Sequence, residues 1–484
     1  MEPDNRPRVL IVGGGFAGLA AAKALAKAPV LVTLVDQRNH HVFQPLLYQV
    51  ATAALSPADI SAPIRSVLRH QHNCEVVLAE AQSVDLEHRR LVLDSCEIEY
   101  DYLVLAAGAT HSYFGHDEWA AHAPGLKCIE DATELRRRLL LAFESAEYEA
   151  DEAARRAALT FAIVGGGPTG VELAGAIKEI AGQTIPEDYR YIDTTTTRVI
   201  LFEGMDRLLP PFPPKLSARA KRDLERMGVE VRLGEMVTDI NADGIRVGDE
   251  FVTVRNVFWA AGVKASPIAE SLGVTLDRAG RVRVEPDLSV PSHPEVFVVG
   301  DLAAAQSADN DMPVPGVAQA AVQMGRHVGR IIASESAGHT AVDGRQPFAY
   351  RDKGMMAIIG KARAVAWIGR LKLGGTLAWL LWGGVHIAFL IGFRNRMQVM
   401  ASWLWNWVVN ARDARLITGE SHLRIQRRRE GTCRPPAAAA EKPSAKEAAD
   451  VGVHNPESLS NIVDEAGKQS FPCSDPPGFN AIRR

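Results

Sequence analysis

The sequence predicts an α/β chain that uses one strand–turn–helix unit twice and then changes chemical character. Three observations carry this. The run Arg8-Val9-Leu10-Ile11-Val12-Gly13-Gly14-Gly15-Phe16-Ala17-Gly18-Leu19 recurs, 152 residues on, as Thr160-Phe161-Ala162-Ile163-Val164-Gly165-Gly166-Gly167-Pro168-Thr169-Gly170-Val171. In each copy an apolar run of buried-strand type passes through a glycine cluster into an Ala-rich helix, predicted at Ala17–Ala28 and Thr169–Ala181. Further apolar strands end in Ala-Ala-Gly at Tyr102–Gly108 and Val257–Gly262, and in Gly-Asp at Val296–Asp301.

The 484 residues, 47% hydrophobic and 23% charged, suffice for two or three domains with ordinary cores. A net charge of −4 gives no reason to expect nucleic acid. That figure hides an asymmetry. Between Arg351 and Glu430 stand 14 Lys/Arg and 4 Asp/Glu, an excess of +10, which leaves −14 on the remaining 404 residues. The same segment holds six of the eight tryptophans, a combination that suits an anionic membrane surface. The five cysteines form no CxxC pair, which fits a reducing compartment and excludes metal ribbons and dithiol relays. Met1 is followed by charged residues and a strand, with no apolar signal region, so the cytoplasmic side is expected. Residues 431–484 are rich in Pro, Ala, Ser and Glu and are expected to be a disordered tail.

Gly13, Gly15 and Gly18 lie between a predicted strand and a predicted helix. The first allows a tight turn, the second lets backbone approach a pyrophosphate, and the third packs helix on strand. Phosphates then meet the positive end of the helix. Asp36, 18 residues past Gly18 and after the predicted strand Val30–Val35, can accept hydrogen bonds from a ribose diol. Phe16, Ala17, Gln37, Ala107 and Gly108 complete this expected site. The second copy offers Gly165, Gly167, Pro168, Thr169 and Gly170, with Glu203 ending the strand Arg198–Phe202 and with Ala261 and Gly262 beside it. Its glycine-to-acid interval is 33 residues, and Gly182–Thr197 reads as the insertion responsible. A glutamate at the ribose repels a 2′-phosphate, which favours NADH over NADPH. Arg207 blurs that preference unless it is an ordinary surface residue.

Two nucleotide sites suggest one flavin held permanently and one nicotinamide exchanged. Gly300-Asp301 supports the first copy as the FAD site, since its carboxylate can bond a ribityl chain while a helix near Ala303 or Gly316 faces the ring. A plain turn aspartate is the alternative. The fold class is therefore α/β with two Rossmann-like dinucleotide-binding domains, the NADH domain (119–264) inserted into the FAD domain (1–118 and 265–350). A C-terminal amphipathic membrane-binding segment (351–430) follows.

Over residues 7–425 the chain resembles the type II NADH:quinone oxidoreductases, among the two-dinucleotide-domain flavoproteins. The resemblance rests on Gly13–Gly18, Leu46-Leu47-Tyr48-Gln49-Val50-Ala51-Thr52, Gly165–Glu172 (GGGPTGVE), Val298–Asp301, and Ala318-Gln319-Ala320-Ala321-Val322-Gln323-Met324-Gly325. The last is the family's complete AQxAxQxG signature. The resemblance implies hydride transfer from NADH to flavin N5, then two-electron reduction of a membrane quinone without proton pumping. It implies that Glu172 lies near the nicotinamide and the flavin edge, where it bonds the NADH carboxamide or shuttles protons to the acceptor. Ala318, Gln319 and Gln323 are then expected at the flavin's pyrimidine end or at a quinone carbonyl, and Lys353 near the quinone as a charge-stabilising cation.

Between Lys372 and Arg394, Leu373–Phe393 contains no charged residue apart from His386. A single membrane crossing at 373–393 is one reading, but five glycines and a histidine make a poor spanning helix. Met400, Trp403, Leu404, Trp407 and Val408 then recur at helical spacing, with Asn406, Asn410, Arg412 and Arg415 at the polar ends. The expectation is a monotopic anchor on the cytoplasmic face of the inner (cell) membrane, contacting lipid and quinone. Packing into a homodimer is left open. Dithiol and coenzyme A disulfide reductases need cysteines absent here. Sulfide:quinone oxidoreductases remain the runner-up, with Cys128 as their one candidate thiol. Soluble ferredoxin or rubredoxin reductases would leave the tryptophan-rich segment unexplained, and a redox-sensing scaffold finds no partner-binding module.

Overall fold

A computed structural model describes residues 5–409, 412 and 414–419 of the chain. The first apolar run forms the strand Arg8–Val12, central in a six-stranded sheet. Across that sheet the order is Ser289–Val290, His293–Val298, Tyr102–Leu105, Arg8–Val12, Leu31–Asp36 and Cys74–Leu78. All neighbours run parallel except the first pair. A second sheet, wholly parallel, comprises Val229–Leu233, Arg198–Glu203, Thr160–Val164 and Asn256–Trp259. It lies in sequence between strands of the first. Every residue of Thr160–Val164 is buried, as a strand covered on both faces requires. The predicted strands and glycine-led helices therefore form, with helix ends shorter than expected at Phe16–Ala24 and Pro168–Glu179.

The insertion after Gly182 is held from outside its own segment. The buried Glu147 carboxylate accepts the backbone N–H groups of Arg190, Tyr191 and Ile192. A two-stranded antiparallel pair, Ala109–His111 with Val263–Ala265, joins the two sheets' chain crossings.

Small residues bring the first glycine helix (Phe16–Ala24) against the signature helix (Ala318–Ser336). A Cβ on Gly325 would strike the Ala17 carbonyl, and one on Gly329 would meet Ala24 Cβ at 2.6 Å. The closing glycine of AQxAxQxG is thus a packing residue that fixes where the first glycine turn stands.

The C-terminal segment begins as a three-stranded antiparallel sheet, Met355–Gly360, Arg363–Ile368 and Leu371–Gly374. It presses on the second glycine helix so closely that a Cβ on Gly175 would strike the Ile359 carbonyl. Two helices follow, Thr376–Phe389 and Phe393–Val409, broken at Gly392 with φ +89°. The crossing considered for 373–393 does not form. Its residues divide among a strand, a 14-residue helix and a turn. At about 1.5 Å per residue that helix reaches roughly 21 Å, against about 30 Å of hydrocarbon. Among the described residues no helix is long and apolar enough to cross a membrane. Asn410 and the tail 431–484 lie outside the described residues.

Replacing Gly325 by Ala should destabilise the fold by about 1–3 kcal/mol through overpacking. The check is the thermal midpoint of the variant, and an unchanged midpoint would refute this account of the helix contact.

Candidate functional site

Each glycine turn is closed by its own acid. Asp36 accepts from Gly14 N at 2.5 Å and from Arg38 N at 2.7 Å. Glu203 accepts from Gly166 N at 2.6 Å and from Met205 N at 2.8 Å. Gly13 (φ +102°) and Gly165 (φ +113°) hold left-handed turns directly over the backbone of Ala106 and Ala260. Gly18 and Gly170 pack so tightly on those turns that a Cβ would strike the carbonyls of Gly13 and Gly165. Gly15 and Gly167, by contrast, face open space within 4 Å. Two helix N-termini are thereby left clear for a phosphate, each beside a carboxylate suited to a ribose.

A cavity of about 570 Å³ extends from the first turn. Of the residues expected there, Gly13, Gly15, Phe16, Ala17, Asp36, Gln37, Ala107, Gly108, Asp301 and Ala318 line it, whereas Gly18 and Gln319 do not. Asp301 meets Lys127 Nζ at 3.5 Å, and both line the cavity. Lys127 was not singled out from the sequence, because no local motif marks a lysine brought in from 174 residues away. The Asp131 carboxylate orients this wall by accepting from Lys127 N and pairing with His111 at 2.9 Å. An elongated cleft with a glycine turn at one end and a carboxylate–lysine pair farther along fits a dinucleotide with a polar linker.

A second cavity, about 540 Å³ and mostly apolar, opens on the other side. Its lining includes Tyr48, Gln49, Glu172, Ile358, Trp379, Trp382, Trp403 and Arg412. The wall between the cavities contains a run of rings. Phe16 lines the first cavity and meets Phe43 at 5.9 Å, Phe43 meets His386 at 6.1 Å, and His386 stacks at 4.2 Å on Trp382 of the second. Burial brings His386 down to about 4, so it is neutral at physiological pH. The motif Leu46–Thr52 packs against the second glycine helix and the C-terminal segment, with Tyr48 meeting Trp382 at 6.5 Å. Gln49 donates to Tyr48 Oη at 2.8 Å and accepts from Trp403 Nε1 at 2.7 Å.

Glu172 lines this second cavity, half-buried, with one long contact from Ile358 N at 3.5 Å. Burial raises it to about 8, so near neutral pH it holds a proton it can give up. Gln319, Gln323 and Lys353 line neither cavity. The two amides clasp the chain at 351–354. Gln319 donates to the Gly354 carbonyl at 3.0 Å and accepts from Lys353 N at 3.0 Å, while Gln323 donates to the Arg351 carbonyl at 3.0 Å. Lys353 is exposed, with Nζ 5.7 Å over the Phe389 ring.

Cys128 lines the first cavity, but burial pushes its thiol up to about 12, which keeps it protonated. Among the described residues no second cysteine joins it there.

The family model of the pyridine nucleotide-disulphide oxidoreductases matches residues 7–325, and the chain belongs to that family. Two relatives from Mycobacterium tuberculosis (strain ATCC 25618 / H37Rv) narrow this. The type II NADH:quinone oxidoreductase Ndh is 46% identical over 432 residues, covering 87% of this chain and 92% of the relative. NdhA, of the same description, is 45% identical over 430 residues, covering 86% and 90%. Within the wider family, the chain belongs to the type II NADH:quinone oxidoreductases. Among solved structures, NDH2 from Plasmodium falciparum in complex with NADH matches with a TM-score of 0.77 at 19% identity, covering 86% of this chain and 100% of that one. That likeness concerns the fold.

Glu172 has a pH signature. As an acid whose folded value is raised to about 8, far above the ordinary carboxylate range, it favours the folded state at low pH, and that contribution is lost as pH rises through about 8. Glu172→Gln should therefore flatten the fall in stability between about pH 4.5 and 8. Urea denaturation at pH 5 and pH 8 checks this, and parallel losses in both proteins would count against a protonated Glu172.

Proposed function

We propose that this enzyme is an FAD-dependent NADH:quinone oxidoreductase working on a membrane surface. The domain 1–118 with 265–350 holds FAD, the domain 119–264 holds NADH, and the segment 351–430 forms the quinone side. The observation that carries the reading is the pair of cavities. A polar cleft at a dinucleotide turn is linked, through a run of four rings, to an apolar cavity lined by a carboxylic acid raised to about 8.

FAD bound in the first cavity supplies two-electron chemistry, accepting a hydride from NADH. Gly13, Gly15 and Gly18 would present the helix N-terminus to its phosphates, Asp36 its adenosine ribose, and Asp301 with Lys127 its linker. On the nicotinamide side Gly165, Gly167 and Gly170 take the same roles, and Glu203 favours a free 2′-hydroxyl. Arg207 donates Nη2 to the Pro210 carbonyl at 2.9 Å, a local partner that engages its guanidinium within its own loop. In the second cavity Glu172 gives a proton to the quinone, and its burial is what makes the acid available near neutral pH. Gln319 and Gln323 act as clasps that fix 351–354.

The helix Phe393–Val409 supports membrane contact. Its inner side is anchored by buried Val399 and by Asn395 donating to the Ser61 carbonyl at 2.9 Å. Its outer side exposes Phe393 (79%), Leu404 (64%) and Val408 (65%), with Trp405 and Trp407. Large exposed apolar residues beside basic ones suit an anionic lipid surface on the cytoplasmic face. With no multi-helix membrane machinery among the described residues, quinone reduction is expected to move no protons across the bilayer.

The test follows the flavin spectrum with NADH, then with a short-chain ubiquinone, and separately with sulfide. Bleaching by NADH reversed by quinone is expected, whereas bleaching by sulfide alone would overturn the reading. Gly384 lines the acceptor cavity with open space at its Cβ. Gly384→Phe should raise the quinone KM at least tenfold and leave ferricyanide reduction unaltered, and an unchanged quinone KM would sink the cavity's assignment.

A further inference from the structure

The proposed quinone cavity is mostly apolar along its walls, but Glu179, Lys361 and Arg412 bring charge to its lining. Arg412, just past the tryptophan helix, lines the cavity with only 11% of its side chain exposed. Its guanidinium is fixed from three sides. Nη1 donates to the Thr52 carbonyl at 3.0 Å and to the Ala176 carbonyl at 3.2 Å, and Nη2 donates to Glu179 at 3.1 Å. Glu179 also accepts from Lys361 N, so its carboxylate is held from a second side. Of the five guanidinium N–H groups, Nε–H and one Nη2–H have no partner among the described residues. Burying a guanidinium is costly, and a fold that needed only a tie between carbonyls could use a neutral donor.

Tyr48 and Glu172 line the same cavity. Tyr48 Oη lies within electrostatic reach of Glu172, Glu179 and Arg412. Glu179 and Arg412 form an ion pair at 3.1 Å, and Lys361 is engaged with the Trp407 carbonyl at 2.8 Å. Lys353, the cation that the sequence resemblance suggests for the quinone, is exposed and lines neither cavity.

We propose that Arg412 is a catalytic residue of the acceptor reaction. Its two unspent N–H groups bond a carbonyl oxygen of the quinone and hold the negative charge that develops on that oxygen as electrons arrive. The inference rests on the reading of this cavity as the quinone site. The overall conversion is NADH + H⁺ + quinone → NAD⁺ + quinol. The hydride of NADH supplies the electron pair and one proton, and solvent supplies the other through the Glu172 carboxyl. Each carbonyl oxygen becomes a hydroxyl, and the ring's two C=O double bonds become single. Arg412 takes no proton and gives none. Its part is charge stabilisation by a donor already oriented before reaction, the arrangement that makes such contacts effective in a water-poor site.

The experiment uses the full-length enzyme with its flavin. The double variant Arg412→Met with Glu179→Gln removes both members of the ion pair together and leaves no lone buried charge. Stopped-flow bleaching by NADH and ferricyanide reduction should stay within about twofold, while re-oxidation by a short-chain ubiquinone slows by about a hundredfold or more, as loss of one oriented donor does elsewhere. Quinone re-oxidation at the parental rate in a flavin-loaded double variant would overturn the proposal. Should that variant lose its flavin, Arg412→Lys decides. A lysine keeps the charge without the planar fork, so it should slow re-oxidation measurably, and a parental rate would again overturn the proposal. Gly384→Phe separates the two claims. Impaired quinone turnover there beside unaffected arginine variants removes the role of Arg412 and leaves the cavity reading. An unimpaired Gly384→Phe removes both.

Discussion

Backbone packed directly on backbone at the two glycine turns is the constraint on which the rest depends. Gly18 sits on the Gly13 carbonyl, Gly13 sits on Ala106, and the arrangement recurs at Gly170, Gly165 and Ala260. No side chain fits between these layers, so each helix starts at a fixed height above its sheet. The signature helix extends this rule, because Gly325 and Gly329 bring it onto Ala17 and Ala21. Asp36 and Glu203 lock the turns by accepting from the glycine N–H groups. The position of each clear helix N-terminus therefore follows from packing that tolerates almost no variation.

A second glycine contact ties this geometry to the C-terminal segment. Gly175 lets Met355–Gly360 lie on the helix that begins at the second turn. Glu172 is on that helix, three residues earlier, and faces the cavity that the added strands and helices complete. Without that cover its carboxyl would meet water and ionise in the ordinary range. The raised pKa of Glu172 is thus a product of architecture that reaches from Phe43 to Trp403. A pair like Glu179–Arg412 contributes little net stability after desolvation, which is a reason to look for its value in chemistry.

The repeat, the strands and both glycine turns were legible in the sequence because they depend on local pattern. The residues expected at the first site were also legible, since most of them are within a few positions of a turn. Lys127 and Arg412 were not legible as site residues, because each reaches its position through contacts more than a hundred residues away. In the sequence Arg412 is a polar helix end, which is how a lone arginine after an apolar run ordinarily behaves. The AQxAxQxG motif was recognised, but its geometry differs from the expectation. Its glutamines bind the backbone at 351–354, and its last glycine is a contact surface. A sequence motif records that residues matter without recording whether they touch ligand or chain.

The uncharged stretch 373–393 illustrates the limit of composition as a guide to membranes. Hydropathy alone allowed a crossing, yet the stretch is divided because Leu371–Gly374 completes an antiparallel sheet and Gly392 turns the chain between two helices. Hydrogen bonds to Ser61 and Gln49 fix one side of the second helix to the protein, which leaves its other side facing outward. Such a helix cannot turn its apolar residues inward without breaking those bonds. The exposed Phe393, Leu404 and Val408 are therefore held outward by the fold itself, at the rim of the cavity lined by Leu404, Trp407 and Met400. A hydrophobic acceptor arriving along that surface would meet mostly apolar contacts in a cavity whose lining also holds Glu172, Tyr48 and Arg412.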